Sequence, residues 1–152
     1  MSDAETRERL RGLVSRSGRL LDDGAWADYV ALFADGGRYA MTARTPELPE
    51  PMTWMTLTRD ELSSLFESLP SHEWDLGERL HLIAVDEIEL AEAATVRSTF
   101  CVLRIDGSGR QELYASGRYT DRWEPDGDGW KLAEREARVA NRLWSAPSPI
   151  PL

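Results

Sequence analysis

Very few side chains in this sequence could hold a metal ion. The nitrogen and sulfur ligands are limited to His72, His81 and Cys101, and neither a C-x-x-C pair nor an H-E-x-x-H motif is present. An iron–sulfur cluster needs four cysteines, or two cysteines with two histidines, and a single cysteine cannot complete either set. The sequence therefore predicts no metal or redox cofactor in this chain, so that any redox chemistry would be held by another chain.

The other polar and aromatic side chains allow more than one interpretation. Strand tyrosines could supply pocket hydroxyls, although they more often pack their rings. Six tryptophans are present, and tryptophan is enriched both in cores and at interface centres. The arginines of the C-terminal half lie beside several glutamates, which favours cross-strand ion pairs on a solvated sheet face. These arginines are Arg97, Arg104, Arg118, Arg122, Arg135 and Arg138.

Size and charge narrow the classes of function. The 152 residues are enough for one domain, 1–152, and the net charge is −9. A negatively charged surface disfavours nucleic acid and anionic membranes as partners. Only one cysteine is present, the N-terminus has no signal-peptide pattern, and no apolar run approaches the ~18 residues of a membrane span. We therefore expect a cytoplasmic protein.

Helices are predicted mainly in the N-terminal half. Residues 5–22 carry apolar side chains at helical spacing, and a shorter helix is predicted at about 25–33. The pattern T-x-x-E at Thr58–Glu61 is a capping box that begins a helix ending near Leu69. A strand is predicted at 38–43, and the proline-rich residues 44–57 are predicted to form a long loop of the kind that often contacts partners.

Strands dominate the C-terminal half. Residues 79–90 and 95–105 are predicted strands, and a long hairpin turns at Asp126–Gly129, where Asp-Gly pairs supply positive φ angles. Residues 113–120 alternate with period two, which indicates a sheet with two different faces. Three prolines make the tail, 145–152, extended. Separated helices and a mostly antiparallel sheet predict an α+β fold in which the curved sheet wraps around a core.

This order of elements resembles the cone-shaped fold of the nuclear transport factor 2-like (NTF2-like, SnoaL-like) superfamily. Within it, the segments Leu20–Met41, RLHLIAVDEIEL, VRSTFCVLRI and ELYASGRYTDRW resemble the small, β subunits of bacterial aromatic-ring-hydroxylating dioxygenases of the terephthalate, salicylate and anthranilate type. The likeness covers about residues 8–152. The residues that carry it are Asp22, Trp26, Tyr29, Phe33, Asp35, Tyr39, Arg79, His81, Glu112, Tyr114, Gly117, Tyr119 and Asp121.

The resemblance implies a non-catalytic assembly subunit. In that family the large α subunit holds the Rieske [2Fe–2S] centre and the mononuclear iron, and the β subunit forms a trimer within an α3β3 hexamer. Residues near loops and chain ends are therefore candidates for contacts with the α subunit or with other β subunits. These interface candidates are Trp54, Met55, Trp74, Trp123, Trp144, Pro149 and Leu152.

The same superfamily offers a second interpretation. Its free-standing dehydratases, cyclases and isomerases use an acid at the end of the first helix and a histidine on a strand, which here correspond to Asp22 and His81. An imidazole that titrates near neutral pH suits general acid–base catalysis. Alternatively, Asp22 caps a helix end and His81 packs in the interior or at an interface. An open polar pocket would favour catalysis, and one filled by aromatic rings would oppose it. A small-ligand binding protein without chemistry remains a third possibility.

Overall fold

Helices at the N-terminal end precede a six-stranded sheet in the computed structural model of the chain. The structure describes residues 1–71, 77–146, 148 and 150–152. The helices are α1 (Asp3–Asp22), α2 (Trp26–Val30) and α3 (Arg59–Ser68), and a 3-10 turn follows at Leu69–Ser71. The strands are β1 (Phe33–Ala43), β2 (Met52–Thr58), β3 (Glu78–Leu90), β4 (Ala94–Ile105), β5 (Gln111–Asp126) and β6 (Gly129–Val139). No helix in these ranges is both long and apolar enough to cross a membrane.

The strand order is β2-β1-β6-β5-β4-β3, so β2 and β3 form the edges of the sheet. Strands β1 and β6 pair in parallel, and every other neighbouring pair is antiparallel. The predicted α+β fold, with N-terminal helices and a mostly antiparallel sheet, is therefore confirmed. The helices pack against one face, which we call the inner face, and the opposite face is called the outer face.

Local sequence signals explain where several elements begin and turn. Helix α1 begins with a capping box between Ser2 and Glu5, and α3 with the predicted one between Thr58 and Glu61. In the predicted β5–β6 hairpin, Asp126 pairs with Gly129, and Gly127 has a φ of 56°. A positive φ is easily adopted by glycine because it has no Cβ.

Two predictions about the N-terminal half are wrong. The predicted loop 44–57 contains strand β2, because the prolines end at residue 51 and the following segment pairs with β1 from Met52 onward. The short helix α2 ends at Val30, and β1 begins at Phe33 rather than residue 38. Gly36 has a φ of 76° at an irregularity between Phe33 and Arg38, where the strand's register with β6 shifts.

The core lies between the helices and the inner face of the sheet. Its largest fully buried apolar side chains come from β1, β4, β5 and the segment around α2. They include Tyr29, Phe33, Tyr39, Phe100, Tyr119 and Trp123. Alternation along β5 places Tyr119, Asp121 and Trp123 together on this face, while Arg118, Thr120 and Arg122 lie on the outer one. The curved sheet therefore surrounds an aromatic interior.

Helix α1 approaches β3 closely at Gly18. A Cβ added to this glycine would lie 2.8 Å from Cδ1 of Ile83 and 2.9 Å from Cβ of His81. Both distances are shorter than normal van der Waals contacts, so only glycine fits without a shift. The close approach brings the end of α1, at Asp22, beside β3.

Candidate functional site

Asp22 and His81 are in direct contact. The Oδ1 atom of Asp22 lies 2.5 Å from Nδ1 of His81, and the Oδ2 atom accepts the backbone N–H of the same residue at 2.8 Å. The His81 side chain is 2% exposed and that of Asp22 is 13% exposed. One carboxylate therefore fixes both the ring and the backbone of His81.

This contact has a structural role. Strand β3 is an edge of the sheet, and an edge strand presents backbone groups that β4 does not satisfy. Asp22 accepts one such N–H, and the Arg7 guanidinium donates to the Ile88 carbonyl further along the strand. Helix α1 thus satisfies the free edge of β3 at two points, consistent with the packing interpretation of Asp22 and His81.

The same contact also has the chemical form of an acid–base pair. A carboxylate at Nδ1 favours the tautomer that carries its proton there and leaves Nε2 as the acceptor. The Nε2 atom of His81 is buried and has no hydrogen-bond partner in the described part of the chain. An unpartnered imidazole nitrogen could accept a proton from a molecule that reached it.

Deeper in the cone, Asp121 and Arg135 form a second polar pair. The guanidinium of Arg135 donates to both Asp121 oxygens, at 2.8 and 2.7 Å, and to the Ser17 hydroxyl at 2.9 Å. Both charged side chains are 0% exposed. Burial disfavours a charged guanidinium, but the charge and hydrogen bonds of Asp121 outweigh burial and hold the pKa of Arg135 well above its usual value. The Arg135 guanidinium therefore stays charged inside the protein.

Aromatic rings surround this ion pair. The Arg135 guanidinium lies 4.2 Å from the centre of the Tyr119 ring, and that ring stacks on Phe100 at 4.3 Å. Burial raises the pKa of the Tyr29, Tyr39 and Tyr119 hydroxyls, so these groups stay neutral. Two cavities, of about 680 and 470 Å³, are lined by residues other than Asp22 and His81. Aromatic packing in the cone therefore opposes an open catalytic pocket.

The interface candidates have different environments. Trp54 is 37% exposed on edge strand β2, with its ring 5.4 Å from that of Trp144 in an edge-to-face contact. Met55 is partly buried against the core. Trp123 and Leu152 have no exposed surface, because they pack inside their own chain, so neither side chain can reach a partner in this conformation. Trp74 and Pro149 lie outside the described residues.

The C-terminal tail is folded against the cone. The Tyr39 hydroxyl accepts the Leu152 N–H at 3.0 Å and lies 3.3 Å from the Leu152 carbonyl, to which it can donate. The Tyr114 hydroxyl donates to the Ala146 carbonyl, and Ile150 is 3% exposed. Buried apolar side chains and these hydrogen bonds hold the tail in the interior, although the sequence suggested that its end faces a partner.

The two possible metal ligands among the described residues, His81 and Cys101, lie on opposite faces of the sheet. His81 lies on the inner face, whereas Cys101 alternates with the buried Phe100 and Val102 and lies on the outer face. His72 is outside the described residues. Within the described ranges, no group of three or more His, Cys, Asp or Glu residues is placed to hold a metal ion. One cysteine and two histidines cannot complete the ligand set of an iron–sulfur centre.

Sequence reasoning missed two features of the sheet. Arg135 was expected on a solvated face, but it is buried with Asp121. It lies at two-residue spacing from the buried Ala137 and Val139 on the same face of β6, which could have indicated its burial. The second feature is an exposed apolar surface on the outer face, which we call the leucine row. It consists of Leu80, Leu82, Leu103 and Leu113.

The leucine row crosses three strands. Leu80 pairs with Leu103, and Leu103 pairs with Leu113. The exposed fractions of Leu80, Leu82 and Leu113 are 40%, 55% and 64%. Single exposed leucines are common, but adjacent ones on neighbouring strands form a continuous apolar surface of the kind that marks interaction sites.

Comparison with known proteins identifies the family. The SnoaL-like domain model matches residues 2–136. The chain is 28% identical to the hydroxylase subunit beta of methanesulfonate monooxygenase from Methylosulfonomonas methylovora, over 95% of this chain and 86% of that protein.

Solved structures share the fold. A protein of Novosphingobium aromaticivorans provisionally assigned as the β subunit of an aromatic-ring-hydroxylating dioxygenase superposes with a TM-score of 0.80 at 20% identity, covering 93% of this chain and 94% of that chain. A protein of the same organism provisionally assigned as a scytalone dehydratase gives a TM-score of 0.68 at 18% identity, covering 97% and 95%. These likenesses confirm the NTF2-like fold that the sequence resemblance implied.

Proposed function

This chain belongs to the SnoaL-like domain family, and we propose that it is a non-catalytic assembly subunit of a Rieske non-haem iron oxygenase acting in aromatic compound catabolism. Two likenesses support this role. The relative found by sequence is the beta subunit of a monooxygenase, and one protein of similar structure has been provisionally assigned as the β subunit of a dioxygenase. The closed aromatic interior agrees with a subunit that does not itself bind the substrate.

The leucine row is the observation that carries this proposal. An apolar surface across three strands of one sheet face is costly in water and becomes favourable when another chain covers it. The expected partner is the large, α subunit of the oxygenase, with self-association of this chain as a trimer in an α3β3 assembly. In this arrangement the chain fixes the geometry in which neighbouring α subunits meet.

The redox groups would belong to the partner. We propose that the α subunit holds the Rieske [2Fe–2S] centre and the mononuclear iron, since the single cysteine of this chain cannot complete an iron–sulfur site. A reducing cytoplasm is the compartment that suits a chain with one cysteine and an iron–sulfur partner.

Co-expression with an adjacent large-subunit gene tests the proposal. The wild-type chain should co-purify in a stable iron-containing complex, and its solution mass alone should be that of a trimer. Replacing Leu82 and Leu113 together by Asp should prevent assembly, because two charges would have to be buried in the contact. Leu143→Asp is the matched control, since Leu143 is 91% exposed outside the sheet. A wild-type chain that does not co-purify with the large subunit would contradict the proposal.

A free-standing dehydratase, cyclase or isomerase is the second candidate. The observation that favours it is the buried, unpartnered Nε2 atom of His81, with Nδ1 held by Asp22. If the assembly role holds, Asp22→Asn and His81→Ala leave turnover of the assembled oxygenase largely intact. A loss of about a hundredfold or more with assembly unchanged would instead support acid–base chemistry, whose groups typically contribute ~10²–10⁴-fold.

A further inference from the structure

The cavity of about 680 Å³ lies on the outer face, and three arginines line it. Arg118 comes from β5, Arg138 from β6, and Arg44 from the segment that follows β1. We call this cavity the arginine groove. It is distinct from the Asp22–His81 contact, which lies on the inner face of the sheet.

Two of the three arginines in the groove have no ion-pair partner among the described residues. Among the described residues, its lining contains no carboxylate, and Arg44 and Arg118 make no ion pair or side-chain hydrogen bond. Arg138 has a long contact of 3.3 Å with Glu136, which also accepts the Thr42 hydroxyl. The groove is therefore a basic site on a chain whose net charge is −9.

Two of these arginines face each other across the sheet. Arg118 is the register partner of Arg138, and both side chains are exposed on the same face. Like charges directly opposite each other on antiparallel strands are destabilising. Such a departure from local preference is expected where a sequence serves function rather than folding.

The rest of the lining is apolar enough to hold an organic molecule. Ala140 lies beside the arginines, Pro46 borders the groove beside Arg44, and Phe100 and Val139 line it from the core side of the sheet. Small-molecule sites typically have ~300–1,000 Å³, apolar walls and a few placed polar groups. Arginine binds carboxylates through two parallel hydrogen bonds, and two adjacent guanidiniums can hold one such group.

We propose that the arginine groove binds a small organic acid, with its carboxylate on Arg118 and Arg138 and its apolar body against Pro46 and Ala140. Competing carboxylates lie near the groove: Glu136 contacts Arg138, and Asp86 accepts the Thr99 hydroxyl at 2.8 Å. A ligand carboxylate relieves the repulsion between the two arginines. The site does not depend on the assembly role proposed above.

Titration of the isotope-labelled chain with benzoate, followed by NMR, tests this site. Benzoate should shift signals of the groove with a dissociation constant in the millimolar range, as expected for an exposed charge-assisted contact. Benzyl alcohol, which has the same ring without the charge, and inorganic phosphate, which has charge without the ring, should each bind at least about tenfold more weakly.

Arginine substitutions provide the matched variants. Arg118→Gln should weaken benzoate binding by about tenfold or more, because it removes a charge-assisted contact. Arg122→Gln is the control: Arg122 lies four residues along the same face of β5, pairs with Glu124 and is outside the groove, so binding should change less than about twofold. Arg44→Gln gives a second test if Arg118→Gln folds poorly.

Several results would overturn the proposal. The first is the absence of benzoate binding up to about 20 mM, a concentration well above a dissociation constant of ~1 mM. The second is equal binding of benzyl alcohol or phosphate, and the third is an Arg118→Gln variant that binds benzoate like the wild type. Light scattering on the same samples provides a further check. If Arg118→Gln changes the solution mass and benzoate does not bind, the groove is a contact between chains and not an acid site.

Discussion

Strands β5 and β6 contain two cross-strand pairs in which arginine has opposite environments. On the inner face, Arg135 pairs with Asp121, and both side chains are fully buried. On the outer face, Arg138 lies opposite Arg118, another arginine. A buried charge requires a partner because water cannot solvate it, whereas solvent and salt screen the exposed repulsion. Each inner charge is thus stable only with its partner, whereas the outer pair is tolerated because it is exposed.

The largest expected effect is on the inner pair. Asp121→Ala leaves the Arg135 guanidinium buried without its carboxylate, which should reduce the free energy of unfolding by ~3–5 kcal/mol. Urea denaturation of the purified chain measures this change. The double variant with Asp121→Leu and Arg135→Met should recover most of the loss, since an apolar pair can replace a buried ion pair. A loss below ~1 kcal/mol in Asp121→Ala would show that the comparison between the faces is wrong.

A smaller effect is expected where α1 meets the inner face. Gly18→Ala places a Cβ against Ile83 and His81, and overpacking of this kind should cost ~1–3 kcal/mol despite alanine's better helix propensity. Gly12→Ala is the matched control on the same helix: no atom lies within 4 Å of an added Cβ, so it should stabilise by up to ~1 kcal/mol. Thermal unfolding of both variants compares them. Equal shifts would mean that α1 does not approach β3 closely.

The smallest effect is expected on the outer face. Arg118→Gln removes the like-charge repulsion with Arg138 and should raise the free energy of unfolding by ~0.2–1 kcal/mol at low salt. At 0.5 M salt the Debye length is only about 4 Å, so screening weakens the repulsion and the gain in stability should shrink. Glu124→Gln should have the opposite sign, since it breaks the exposed pair with Arg122. Denaturation at two salt concentrations measures both, and destabilisation by Arg118→Gln would contradict the comparison.

Local signals in the sequence predicted the elements whose causes are local. The capping box at Thr58 and the turn at Gly127 depend on a few neighbouring residues, and both form as predicted. Strand β2 was missed because the prolines that precede it suggested a loop, while its existence depends on pairing with β1. Whether an edge segment forms a strand depends on the strand beside it in space, and a short window of sequence does not include that strand.

The site was predictable only in part, for a similar reason. The resemblance named Asp22 and His81, and the structure brings them together, but no pattern in the sequence showed that Asp22 also accepts a backbone N–H of the edge strand. The pairing of Arg118 with Arg138 depends on register. A one-residue change of register would exchange the two faces, so the arginine groove could not be read from composition.

The parallel pairing of β1 with β6 has a consequence for the order of events during synthesis. Tyr39 pairs with Arg135, so β1 cannot find its second neighbour until nearly the whole chain has left the ribosome. Before then, one edge of β1 has no strand paired with it, and such unpaired strands are prone to aggregation. Contacts this distant in sequence also slow folding, because a long loop must close first. The newly made protein therefore depends on its last strand to become a folded one.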